Sequence, residues 1–520
     1  MSGEISTLTL IDMLNLHFAE RGAAPALAFG ERVMTWSELG ERSGRIARRL
    51  AGEGVKRGER VAILAENSIE YCVLVVAILR AGASVAPLPT LVSADDIAGM
   101  AADCSARFVF ASSALMSVAE GARARCDARI VEISGEGEGS LSQFLGGGAE
   151  AALPAIGLDD EYNIIYSSGT TGRPKGIIHT HRLRARSSQS LGRDFPLGVR
   201  TLTTTALYSN WTMGALTYTL WAGGCLEVLP RFTPDALVAA CARSRPHNVF
   251  LIPVQIERLL AAKSNEAPPP ASLKWCAGSH LGERQKRGML HWWPGGLVEI
   301  YGMTEGAPFT MLRAHEHPDK LHTVGRSDPA SDIKIIGDDE CELAVGERGE
   351  VIGKARSVMR AYNNAPDATE AIVWRDGEGE AYFRSGDIGA LDRDGFLQIT
   401  GRKKDVIISG GLNLYASDIE AVIAAHPAVA EAAVIAVPSA KWGESPAAVV
   451  VLRPGCVLAV DELLRWANQR LGRVQRLSAL AFADELPRGG LGKILRNALR
   501  DAYRGLGDAA TEDGDGIGKG

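Results

Sequence analysis

Between residues 35 and 111 the chain changes its hydrophobic period repeatedly, and nothing else in it constrains the fold as much. Apolar residues at helical spacing give way to short strand-like runs and back again. A basic amphipathic stretch opens at Ser37-Glu38-Leu39 and runs to about Ala51, and GERVAIL follows as a strand. SIEYCVLVVAILRAG reads as a helix ending on Gly82, ASVAPL as a strand, residues 94–103 as a helix and ARFVFA as a further strand. This rhythm predicts parallel sheets covered by helices. It resumes after Ile164 and lasts to about Ile300.

From Ile333 the texture changes. DIKIIGDDECELAVGERGEVIG pairs strands through glycine turns, a meander in place of crossovers. A boundary is expected near 401–405, after GFLQIT. Beyond it stand a helix at 417–425, strands at 431–437 and 447–452, and a helix at 460–471. The expected architecture is α/β: a large N-terminal domain, residues 1–401, of parallel sheets flanked by helices with a smaller β subdomain, then a small α+β C-terminal domain, residues 402–506. The Gly-rich acidic end, 507–520, reads as disordered.

Composition removes several classes. With 56 Lys plus Arg against 62 Asp plus Glu, the net charge is −6, and no basic stripe offers a nucleic-acid surface. The N-terminus lacks the basic start and unbroken apolar segment of a secretory signal. Eight cysteines without a CxxC read as reduced, mostly buried thiols of a cytosolic protein. Residues 201–226 carry no charge, but their Thr, Ser and Asn content suits a buried segment lining a pocket better than lipid. No integral membrane segment is expected.

The stretch YSSGTTGRPKG, residues 166–176, is too polar and glycine-rich to pack a core. Its glycines let backbone approach a ligand closely, four hydroxyls add donors, and Lys175 adds a mobile charge, a set suited to phosphate oxygens. GxxxxGK[ST] requires Gly-Lys together, whereas Lys175 precedes Gly176, and Gly492-Lys493 is followed by Ile494. A Walker-type loop is therefore disfavoured. His179-Thr180-His181 and His315-Glu316-His317 invite a metal reading, but no Cys or carboxylate set completes either, so surface or hydrogen-bonded histidines are expected. Neither HExxH nor GxSxG is present.

YSSGTTGRPKG resembles the phosphate-loop signature of AMP-forming acyl-adenylate synthetases, among them acyl- and aryl-CoA ligases of the coumarate and fatty-acid types. Their other motifs follow in order: YGMTE at 301–305, YFRSGD at 382–387, GRKKDVIISGGLNLYASDIE at 401–420 and PRGGLGKILR at 487–496. The resemblance implies ATP, Mg²⁺ and CoA, with Ser167, Ser168, Gly169, Thr170, Thr171, Gly172 and Lys175 around the β- and γ-phosphates. Thr304 would touch the α-phosphate and Glu305 would hold Mg²⁺. Gly278, Ser279, Tyr301 and Gly302 would lie along the base, and Asp387 and Arg402 at the ribose. Lys493 would bridge the acid and the α-phosphate, on a mobile C-terminal domain hinged at Lys404. Ser409, Gly410, Gly411 and Trp442 would serve CoA.

The acyl pocket implied by the resemblance takes in Tyr208, Asn210, Trp211, Met213, His280, Gly306 and Ala307. Relatives often carry a histidine where Ser209-Asn210 stand. The bulky uncharged lining points to an apolar acid, aryl or fatty. The expected activity is a carboxylate–CoA ligase; the alternative is an adenylation enzyme loading a carrier-protein thiol. Small-molecule acid, ATP and CoA are the expected partners, and a homodimer is the commonest prior.

Overall fold

The computed structural model describes residues 7–506 except 124, 135–138, 148, 168–173, 193–194, 263–273, 279–280, 294–295, 328–330, 357, 411, 440 and 489–493. The expectation for 507–520 thus lies outside the described residues. The chain divides into two compact units, Met1–Asp332 with Gly353–Phe383, and Ile333–Ile352 with Arg384–Gly520.

The first unit is built on two sheets. In the seven-stranded sheet Ser84–Pro87, Arg60–Leu64, Phe108–Ala111 and Arg129–Glu132 run parallel, as the alternating rhythm predicts. The hairpin Glu161–Ser167 and Lys175–Thr180 extends one side, with the short strand Ala361–Tyr362 antiparallel outside it. The nine-stranded sheet has a parallel centre that includes Arg200–Thr203, Cys225–Val228, Asn248–Leu251, Lys274–Gly278 and Gly296–Gly302. Antiparallel strands close both of its ends.

Local chemistry sets the helix starts. Trp36–Gly52 begins one residue before the expected Ser37 because Thr35 caps it: the hydroxyl accepts from the Glu38 amide, and Glu38 accepts in return from the Thr35 amide. Ser93 caps Ala94–Asp103, its hydroxyl accepting from the Asp96 amide. Ile69–Arg80 is apolar on nearly every side because it is buried on nearly every side, inside the core that also holds Trp36 and Leu216.

The uncharged segment 201–226 folds as strand, helix Asn210–Trp221 and strand. Several of its hydroxyls are satisfied inside the fold: Thr217 donates to the Met213 carbonyl and pairs with Tyr162, and Thr219 donates to Ala215 and meets Thr201. Buried polar groups so bonded cost little, which explains a polar composition in a buried place. Among the described residues no helix is long and apolar enough to cross a membrane. All eight cysteines are free thiols, four of them buried.

In the second unit, Leu412–Tyr415, Val406–Ser409, Gly443–Leu452 and Val429–Ser439 form an antiparallel sheet, with Ala479–Phe482 added in parallel. Helices Ala416–Ala424 and Val460–Asn468 pack on it around Ile419, Ile423 and Leu463. This is the small α+β arrangement read from the sequence.

Candidate active site

The glycine-rich stretch joins two antiparallel strands. Ser167 stands opposite Lys175 and Tyr166 opposite Gly176, so residues 168–173 connect a hairpin and do not lead into a helix as a Walker-type loop does. A β-carbon on Gly176 would come 2.6 Å from Ile164 Cδ1, so any larger residue there would have to displace the Ile164 side chain. Ser168, Gly169, Thr170, Thr171 and Gly172 lie outside the described residues, as does the side chain of Ser167.

Lys175 is held at the mouth of this hairpin by Tyr362 on the neighbouring short strand. Its Nζ lies 5.1 Å from the ring centre, within cation–π range. The Tyr362 hydroxyl donates to Glu305 Oε1 at 2.6 Å, and the Glu305 carbonyl accepts from the Met359 amide at 2.7 Å. Burial and the adjacent carboxylate push the Tyr362 phenol up, so it stays a donor. One aromatic side chain therefore ties the expected phosphate lysine to the expected metal carboxylate. Gly306 follows with φ +107°, a backbone state that favours glycine directly after Glu305.

The next residue back is tied as firmly. His179 Nε2 lies 2.7 Å from the Thr304 carbonyl, and Arg184 Nη2 lies 2.9 Å from His179 Nδ1. Arginine only donates, so Nδ1 is the acceptor and Nε2 carries the proton given to Thr304. Burial, reinforced by the Arg184 charge, holds His179 well below the usual imidazole range, and the ring is neutral. His181 has separate surroundings, edge-on to Tyr162 at 5.1 Å.

Arg184 links this chain to the expected acyl segment. Its Nε and Nη2 donate to Asn163 Oδ1 at 3.1 and 3.0 Å, and Nη2 reaches Asn210 Oδ1 at 2.8 Å. Asn210 opens a helix capped by Ser209, and Trp211 beside it packs on Phe250 with ring centres 4.8 Å apart. A β-carbon on Gly278 would sit 2.7 Å from Trp211 Cδ2, which brings an expected base-side residue against an expected acyl-side one. Gly278 pairs with Ile300, next to the buried Tyr301, on adjacent parallel strands that lead to Gly302. Tyr208 is partly buried just ahead of the helix, while Met213 and Ala307 are fully buried, Met213 inside the main core. Ser279 and His280 lie outside the described residues.

The second unit carries the remaining groups. Asp387 and Arg402 face each other across paired strands, with Nε 2.7 Å from Oδ1. Lys404 lies in the turn Lys403–Asp405, and its carbonyl accepts from Arg500 at 3.3 Å. Arg496 bonds Glu420 at 2.8 Å and lies 3.3 Å from Asp405, which fastens the start of the last helix to that turn. The Gly410 amide donates to the Trp442 carbonyl at 2.8 Å, and a β-carbon on Gly410 would meet the Trp442 ring at 2.8 Å. Trp442 is 46 % exposed, so it is no core residue, and Lys441 Nζ stands 5.0 Å from its ring centre. Gly411 and Lys493 lie outside the described residues.

A family model described as AMP-binding enzyme matches residues 15–363, and one described as AMP-binding enzyme C-terminal domain matches residues 418–493. The chain belongs to the AMP-binding enzyme family. Within the family, a feruloyl-CoA synthase of an Amycolatopsis species is 32 % identical over 497 residues, 92 % of this chain and 96 % of that one. A long-chain-fatty-acid–CoA ligase of Mycobacterium tuberculosis is 31 % identical over 479 residues, 90 % and 93 % of the two chains. The crystal structure of ATP-bound MatB from Rhodopseudomonas palustris superposes with a TM-score of 0.87 at 29 % identity, covering 96 % of this chain and 100 % of that one.

The motifs quoted above contain Lys175, Thr304 and Glu305 but not Tyr362, His179 or Arg184, through which they are held. Tyr362 sits in RAYNNAP, where neither spacing nor periodicity sets a tyrosine apart. By sequence His179 reads as a surface or hydrogen-bonded histidine; it is buried and hydrogen-bonded. Arg184 lies in an arginine-rich stretch, RLRARSS, that none of those motifs includes, and it is 5 % exposed.

Proposed function

We propose that the chain is an AMP-forming carboxylate–CoA ligase for a hydrophobic acid, aryl or fatty. The acid's carboxylate attacks the α-phosphate of ATP, pyrophosphate leaves, and the acyl group passes from the adenylate to the CoA thiol with release of AMP. Family membership supports this reading, as do relatives named for feruloyl-CoA synthesis and long-chain fatty-acid activation. The observation that carries it is Tyr362, which gathers Lys175 and Glu305 beside Thr304.

Two anions must meet in the first step, so catalysis is chiefly charge neutralisation and alignment. Lys175 with residues 167–172 receives the β- and γ-phosphates, and Thr304 the α-phosphate. Glu305 would hold magnesium, which when bound would supply positive charge to offset that of the phosphates. Glu305 fits that ion: Oε1 is taken by Tyr362, while among the described residues no bond occupies Oε2. One hard carboxylate oxygen with phosphate and water completing the shell is how Mg²⁺ is commonly held.

Gly278, Ser279 and Tyr301 serve the base, and Asp387, oriented by Arg402, accepts from the ribose hydroxyls. Asn210 and Trp211 line the acid. Lys493 supplies the cation of the first step, and the C-terminal domain from 402 turns at Lys404 between steps. Ser409, Gly410, Gly411 and the exposed Trp442 receive CoA. The test is pyrophosphate release with ferulate and with palmitate, followed by thioester formation with free CoA. Release with neither acid, nor with any other carboxylate, rejects the function. Release followed by transfer only to a carrier-protein thiol rejects the CoA step.

A further inference from the structure

Arg184 is a buried charge with no countercharge among the described residues. Among the described residues it makes no ion pair; every group it donates to is neutral, namely Asn163, His179 and Asn210. Its Cζ lies 5.6 Å from the Tyr162 ring centre, which adds a weak cation–π contact but no negative charge. Burial brings the guanidinium down to about 10, which leaves it protonated at neutral pH.

Several donors of this cluster are unspent. Nη1 of Arg184 takes part in no bond among the described residues. Among the described residues Asn163 Nδ2 is buried without a partner, as is Nε1 of Trp211, the residue that follows Asn210. The Asn163 amide cannot turn to relieve this, because its oxygen must face the two arginine donors. The cluster is therefore electropositive throughout, and burying an unpaired cation costs several kcal/mol unless something negative arrives.

Its position says what arrives. Arg184 is one hydrogen bond from Asn210, at the head of the acyl segment, and two from the Thr304 carbonyl through His179. If the proposed function holds, on which this inference rests, that is where the acid's carboxylate lies before attack. We propose that Arg184 is a positioning residue for the acid: its fixed charge, acting through Asn210 and the neutral His179, draws the carboxylate to Thr304 and holds it there. The neutral tautomer of His179 matters here, since a second cation would push Arg184 out of the cluster.

The experiment uses the full-length enzyme and whichever of ferulate and palmitate gives the faster pyrophosphate release, with the primary amide of the same acid as an uncharged inhibitor. Arg184→Gln is expected to raise KM for the acid at least tenfold, leave KM for ATP within about twofold, and leave inhibition by the amide unchanged. Arg184→Lys, which keeps the charge, restores much of the loss. Asn210→Asp places a countercharge on the guanidinium without removing it, so it survives a folding failure of Arg184→Gln. It is expected to raise the acid's KM similarly with no fall in melting temperature.

Equal weakening of acid and amide in a folded variant would mean that Arg184 only braces the wall, and would overturn the inference. So would an unchanged acid KM in both Arg184→Gln and Asn210→Asp. Absence of pyrophosphate release from the wild type with every acid is a different result, and it rejects the function itself.

Discussion

The Tyr362 hydroxyl donates to Oε1 of Glu305 at 2.6 Å, and the ring that carries it lies under Lys175. The hydroxyl fixes the carboxylate while the ring face favours the ammonium. Tyr362→Phe keeps the second effect and removes the first. A hydrogen bond to a charged group contributes about 1.5–3 kcal/mol, so kcat/KM for Mg·ATP should fall at least tenfold. The Mg²⁺ concentration for half-maximal activity should rise. An unchanged magnesium dependence in Tyr362→Phe would show that Glu305 needs no orienting partner.

In the proposed function Trp442 would serve only the second half-reaction. Its ring is exposed and packed over Gly410, as a stacking platform for the nucleotide or pantetheine of CoA requires. Stacking on an aromatic ring is worth about 1–3 kcal/mol. Trp442→Ala should raise KM for CoA about tenfold and leave acid-dependent pyrophosphate exchange near wild type. Loss of exchange in this variant would assign the ring to the first step instead.

Acid should destabilise the N-terminal unit. Burial pushes His181 down to about 4 and also lowers His179 and His17. Unfolded histidines take up protons near 6.5, so below that pH the unfolded chain binds protons that the native chain refuses. Stability is therefore full above about pH 6.5 and is lost as pH falls toward 4, by about 3 kcal/mol from His181 alone. Melting temperatures between pH 7.5 and 4.5 should drop, and His181→Gln should flatten the decline. A flat wild-type profile would contradict the burial of these rings as neutral groups.

Much of this architecture is written in local pattern. The alternation of residues 60–111 marks parallel strands because strands buried on both faces need apolar runs and the covering helices need one apolar stripe. Ala94–Asp103 has the bounds read from the sequence. The groups that would touch substrate are legible because their chemistry restricts residue type. The residues that hold them are not, since Tyr362, His179 and Arg184 act through contacts made by chain folding, across 57 residues for Tyr362–Glu305 and 125 for His179–Thr304. The hairpin nature of the glycine loop was equally hidden: composition marks a phosphate cradle, but only the register of Ser167 against Lys175 shows what the loop joins.

The central claim is that an organic acid is activated on the α-phosphate of ATP, and isotope exchange reads that step alone. Without CoA, labelled pyrophosphate should enter ATP only when Mg²⁺ and a suitable carboxylate are both present. Lys493→Ala should slow this exchange about 10²–10³-fold while ATP still binds, the usual cost of losing one oxyanion-stabilising donor. Exchange that needs no acid, or that proceeds at the wild-type rate in Lys493→Ala, would contradict the account.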